Sequence, residues 1–126
     1  MLHLSILISL FFCHFLADFT WLSTYWILDA KRIGKPYFPI FVHATIHALL
    51  VFLCLFLFKI SFDKLIICYL FELISHFVID VLKGKMNLWF PYVSNMNNKM
   101  YWVVFGFDQF LHICVISMIY AYVMFN

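Results

Sequence analysis

Charge is what this chain has least of. Only 11% of its 126 residues are Asp, Glu, Lys or Arg, against about 25% in an ordinary soluble domain. Glycine and proline are also scarce, at three each, so few positions can break a helix or tighten a turn. The four cysteines, Cys13, Cys54, Cys68 and Cys114, contain no Cys-x-x-Cys pair and lie in apolar runs; they read as small buried hydrophobes. The apolar start of the chain lacks a basic lead and a small-residue cleavage site. It is expected to form part of the first helix and not to be removed as a signal peptide. Basic residues form no patch, which sets nucleic acid aside as a partner.

What fills the chain instead is hydrocarbon: 67% hydrophobic residues and a mean hydropathy of +1.01. That is the composition of an integral membrane protein. Four spans of about 20 residues are expected to use these 126 residues, with no soluble catalytic domain among them. The expected fold is therefore all-α, a single transmembrane four-helix bundle over residues 1–126 with spans at about 4–28, 37–58, 65–82 and 101–125. Pro36 and Pro39 open the second span where a helix tolerates proline, and Lys59 to Lys64 makes a tight hairpin. Lys83 to about Lys99 is the one long connection, broken by Gly84, Asn87, Pro91 and Asn95. Its aromatic residues suggest a segment lying in the membrane interface. Lys31, Arg32, Lys35, Lys83, Lys85 and Lys99 weight the first and third connections, against Lys59 and Lys64 in the second. The excess of positive charge then puts those connections in the cytoplasm and both termini outside.

Against this background the polar residues inside the spans stand out. His14 and Asp18, His43 and His47, Glu72, His76 and Asp80, and Asp108 and His112 recur four positions apart. A spacing of four puts both members of a pair on one helix face, roughly 6 Å apart along the axis. An ionisable group at mid-bilayer costs about 2.5–3.5 kcal/mol even on the lenient insertion scale, so such groups face one another. Counted from the span ends, the four sets fall in one slab between the cytoplasmic face and the membrane centre, which points to one site. His3 lies at the outer end and is expected to be solvated, and Gln109 either pairs in the core or orients a ligand.

Five histidines and four carboxylates without thiolate suit Zn²⁺, Mn²⁺ or non-haem iron, with zinc favoured. A divalent metal also keeps carboxylates ionised in a low-dielectric interior. The expected ligands are His14, Asp18, His43, His47, His76, Asp80, Asp108 and His112, with Glu72 and Asp18 as candidates for the catalytic base. Nine groups exceed the three or four that one zinc takes, so one metal with carboxylates orienting its histidines and two bridged metals both stay open. Neither the Glu-x-x-His of di-metal bundles nor a His-Glu-x-x-His is present.

The ordered set His14-Phe-Leu-Ala-Asp18, His43-x-x-x-His47-Ala-Leu, His76-Phe-Val-Ile-Asp80-Val-Leu-Lys83 and Asp108-Gln-Phe-Leu-His112 resembles the signatures of a bacterial and phage family of small membrane proteins, domain of unknown function 3307. That resemblance implies a four-helix protein of the bacterial cytoplasmic membrane with signature His and Asp residues, and carries no activity. A looser similarity runs to small membrane-bound metal-dependent hydrolases, whose N-terminal His-Arg-x-x-Thr-His pattern this chain lacks. Three functions follow: a metal-dependent hydrolase acting on a lipid or other membrane-borne substrate from the cytoplasmic side, a proton or metal-ion transport component, or a non-enzymatic interaction protein with a structural metal. The expected partner is membrane lipid, with self-association or a second membrane protein open to so small a chain.

Overall fold

The computed structural model describes residues 2–126, of which Leu2 is placed by its backbone alone. These residues are all-α: helices α1 (Leu2–Phe19), α2 (Tyr25–Ile33), α3 (Tyr37–Leu57), α4 (Phe62–Trp89) and α5 (Lys99–Phe125), with a 3₁₀ turn at Pro91–Ser94 before α5. Three of them, α3, α4 and α5, are long and apolar enough to cross a membrane, and α1 is a shorter apolar helix. The long helix α4 is the hub, packing against α2, α3, α5 and the 3₁₀ turn, while α1 lies against α3 and α5.

The expected first span of about 4–28 is in fact two elements. The Thr20 hydroxyl donates to the Leu16 carbonyl, and the Ser23 amide donates to the Thr20 carbonyl at 3.1 Å. These local hydrogen bonds compete with the helical ladder and end α1 at Phe19 without glycine or proline. The chain restarts at Thr24, whose extended backbone serves as the N-cap of α2. Helix α2 places Ile27, Ala30, Lys31 and Gly34 on one face at the spacing of an amphipathic helix, and Ile27, Ala30 and Gly34 are buried.

Gly34 ends α2 in the left-handed conformation (φ 67°), its amide bonded to the Ala30 carbonyl. The same residue is where α2 meets α4. A Cβ added to Gly84 would lie 2.1 Å from the Gly34 nitrogen and 2.5 Å from the Lys31 carbonyl oxygen. The two backbones touch because neither residue has a side chain. Gly84 therefore sits inside α4, and Lys83, Lys85 and Asn87 are helical, where a connection from Lys83 was expected; no proline interrupts the helix before Pro91. Asn98 caps α5 by accepting from the Met100 amide at 2.9 Å.

Burial divides each long element by chemistry. One end of the bundle is an apolar core built from Ile6, Leu10, Val51, Leu55, Leu65, Ile116 and Ile119 with their neighbours. The other end holds the histidines and carboxylates, flanked by a small cluster of Ala30, Ile40 and Val81. Large apolar side chains such as Leu53, Phe56, Ile74, Leu82, Phe107 and Phe110 face outward, the arrangement that lipid solvates and water does not.

A buried histidine and carboxylate centre

Helix spacing places the donors, and the end where α2 folds onto α4 gathers them. His43, His47, Glu72, His76, Asp80, Asp108, His112 and His14 are all buried, with no exposed surface left on His43, His76 or Asp80. Two groups have geometry that could hold a metal ion: Asp18, His43, His47 and His76, and then His76, Asp80 and His112, each with donor atoms within 4.8 Å of one another. His76 belongs to both.

In the first group Asp18 and the two α3 histidines lie within hydrogen-bond reach of one another. Asp18 Oδ1 lies 2.8 Å from His43 Nε2 and 3.5 Å from His47 Nε2, and the two histidine Nε2 atoms are 3.2 Å apart. The fourth neighbour is a cation that the sequence reading assigned to the surface. Lys31 Nζ stands 2.9 Å from Asp18 Oδ1, 2.9 Å from His43 Nε2 and 3.2 Å from Asp80 Oδ2. Lys31 lies on α2, outside the long apolar helices. Burial works against its ammonium, but the carboxylates of Asp80 and Asp18 outweigh burial and hold its pKa above the ordinary lysine value. The missed signal was periodic: Lys31 follows Ile27 by four and Ala30 by one, on the inward stripe of α2.

The second group is left unsatisfied. His76 Nε2, Asp80 Oδ1 and His112 Nε2 are buried and without a hydrogen-bond partner, a costly condition for polar atoms in an apolar interior. His76 Nε2 lies 3.5 Å from Asp80 Oδ2, and His112 Nε2 lies 3.7 Å from Asp80 Oδ1. Donors bound tetrahedrally to zinc at about 2.0–2.1 Å stand roughly 3.4 Å from one another, so the spacing and the donor types fit such an ion.

Three of the nine residues stand beside these groups instead of within them. Glu72 Oε1 is 3.2 Å from His76 Nδ1 and 4.0 Å from His47 Nδ1. A carboxylate there accepts the Nδ1 proton and leaves Nε2 free as a ligand atom. His14 Nε2 is 3.3 Å from Gln109 Oε1. Asp108 is shared between Lys83 Nζ, 3.5 Å away, and His112 Nε2, 3.7 Å away. Gln109 joins both, donating from Nε2 to Asp18 Oδ2 at 3.4 Å and to Asp108 Oδ2 at 3.3 Å. His3 is exposed, far from the centre in sequence and in α1.

A cavity of about 370 Å³ reaches the edge of the centre. Asp18, Lys31, Asp108 and Gln109 form its inner wall, Arg32, Lys83 and Asn87 its polar rim, and Phe19, Leu28 and Phe105 part of its apolar side. Glu72 does not line it.

No curated protein and no solved structure matches the chain. A family model matches residues 6–126, and the chain belongs to that family, described as protein of unknown function (DUF3307).

Proposed function

We propose that this protein is a membrane-embedded metal-dependent hydrolase that acts on a lipid or other membrane-borne substrate from the cytoplasmic side. The observation that carries the reading is the unsatisfied set His76 Nε2, Asp80 Oδ1 and His112 Nε2, which meets a cavity through Asp108, part of the cavity wall and 3.7 Å from His112 Nε2. Three protein ligands with a vacant position make a catalytic type of zinc site, where a structural one is closed by four. Zinc bound there would polarise a carbonyl or phosphoryl group and lower the pKa of a water toward about 7. Asp18, on the cavity wall, is the candidate base; Glu72, behind His76 and off the cavity, is a positioning residue. The excess of basic residues at the polar end, Arg32, Lys35, Lys83, Lys85 and Lys99 against Lys59 and Lys64 at the other, supports a cytoplasmic mouth.

A second reading has its own support. Lys31 already brings a cation to Asp18 and Asp80, so the centre can balance its charge as a metal-free ion network with a structural role. Transport is less well supported, because the buried stripe beyond the centre, from Val51 to Leu55 and from Val115 to Val123, is apolar and gives an ion no second exit.

Elemental mass spectrometry of protein purified in nanodiscs separates the readings. About one zinc per chain is expected, and a metal-free protein with full thermal stability would establish the ion network instead. Asp18→Asn is expected to keep its metal and lose lipid turnover measured in cells, because the amide preserves shape and removes the base. Loss of turnover only in proportion to metal loss, across amide variants of all four carboxylates, would assign the metal a structural role.

A further inference from the structure

The rim of the cavity holds cations that the hydrolytic chemistry leaves unused. Arg32 is exposed and its side chain takes no hydrogen bond or ion pair among the described residues. Its carbonyl accepts from Asn87 Nδ2 at 3.2 Å, which ties α2 to α4 at the rim. Lys83 Nζ, on the facing turn of α4, lies 3.5 Å from Asp108 Oδ2 and 5.6 Å from the centre of the Phe105 ring. Three cations, Lys31, Arg32 and Lys83, line the cavity against two carboxylates, Asp18 and Asp108. Asp18 is already engaged at 2.9 Å by Lys31 and at 2.8 Å by His43, and Asp108 by Lys83, so the positive charge left over is that of Arg32 at the rim.

The same walls are apolar elsewhere. Phe19, Leu28, Val104 and Phe105 line the cavity, and a small soluble anion has no use for them, whereas an amphiphile meets both surfaces. A volume near 370 Å³ lies at the low end of ligand cavities, enough for a headgroup and the first chain carbons but not for two acyl chains.

We propose that this cavity is a subsite for a phosphate-bearing lipid headgroup, with Arg32 and Lys83 on the phosphate oxygens and Phe19, Leu28 and Phe105 against the adjoining carbons. Arginine suits the role because its planar fork donates to two phosphate oxygens at once, and lysine adds a point charge. The assignment rests on the hydrolase reading and narrows its substrate to phosphorylated lipids, whose phosphorus would then lie between the rim and the metal-capable groups.

The probe is a phosphonate analogue of phosphatidate, which resists turnover, compared with diacylglycerol of the same chains in phosphate-free maltoside micelles. Retained lipid is read by native mass spectrometry and metal content is measured on the same samples. Wild-type protein is expected to enrich the phosphonate at least fivefold over diacylglycerol, and Arg32→Gln with Lys83→Gln to abolish the enrichment at unchanged metal content. Arg32→Lys with Lys83→Arg, which keeps both charges, is expected to retain most of it, as is Lys64→Gln at the other end of the bundle. Equal retention of the two lipids by wild type overturns the subsite, as does enrichment that survives the double glutamine variant. Full displacement by millimolar inorganic phosphate would identify a soluble anion and overturn the lipid assignment. Wild-type protein without metal that still enriches the phosphonate would remove the hydrolase reading and leave the subsite standing.

Discussion

The two ends of the bundle are built on the same geometry and opposite chemistry. On α1 the buried stripe reads Ile6, Leu10, His14 and Asp18, and on α4 it reads Leu65, Cys68, Glu72, His76 and Asp80. Helix α5 runs the other way, from Asp108 and His112 to Val115, Ile119 and Val123. The three-and-four spacing of the stripe does not change where its composition does. Surrounded by lipid, as the long apolar helices α3, α4 and α5 would allow, the apolar end would gain little from burying hydrocarbon and would hold by close packing. The polar end holds by ion pairs and hydrogen bonds, which bind strongly when complete and cost free energy when one member is lost. One end sets helix register, and the other makes each residue depend on several neighbours.

Breaking the polar end should produce the largest effect. Asp80→Ala removes the partner of Lys31 on one oxygen and a neighbour of His112 on the other. A loss of about 3–5 kcal/mol is expected from the stranded buried charge, with bound metal falling below a tenth of the wild-type level. Thermal unfolding in detergent beside metal analysis checks both, and a variant with wild-type values in each would refute the centre.

The apolar end should separate stability from metal. Leu55→Ala leaves a cavity in a fully buried position and is expected to cost about 2–5 kcal/mol, while metal content measured below the melting point stays at the wild-type level. Metal loss in this variant would mean that the two ends are one cooperative unit.

A smaller effect is expected from a change that touches no titratable group. Gly84→Ala drives a methyl group into the backbone of α2, and overpacking of this kind costs about 1–3 kcal/mol. Because α2 carries Lys31, the variant is also expected to lower metal occupancy or phosphonate retention. The smallest effect, a gain of about 0.5–1 kcal/mol, is expected from Gly106→Ala in α5, where an added Cβ meets nothing within 4 Å. Chemical denaturation of Gly84→Ala and Gly106→Ala side by side makes the comparison.

The polar centre was legible in the sequence because its signal is local: residues four apart share a face, and nine ionisable groups in apolar helices must converge. All nine do lie at one end. A His and Asp donor set that could hold a metal ion was legible too, but not its division into two groups sharing His76, which depends on helix rotation and crossing. Lys31 was read as a charge that orients the protein, since a lysine beside an arginine after an apolar run usually faces water. It turns inward because α2 is a separate helix, and that break is written only in Thr20, Ser23 and Thr24, of which Thr20 alone turns its side chain to the backbone, at Leu16. The continuation of α4 through Gly84 was hidden for a related reason. Glycine in a helix is read as a breaker unless the surface pressed against it is known.

The contact between Gly34 and Gly84 has a genetic consequence. A side chain that clashes with another side chain can be relieved by trimming the neighbour, so second-site suppressors are common in ordinary cores. Here the atoms that a new Cβ would meet are backbone on both sides: the Gly34 nitrogen and Lys31 oxygen for Gly84, the Val81 oxygen and Lys85 nitrogen for Gly34. No substitution elsewhere removes a backbone atom. Selection for restored function from a Gly84→Ala strain should therefore return reversion at codon 84 and leave every neighbouring codon unchanged.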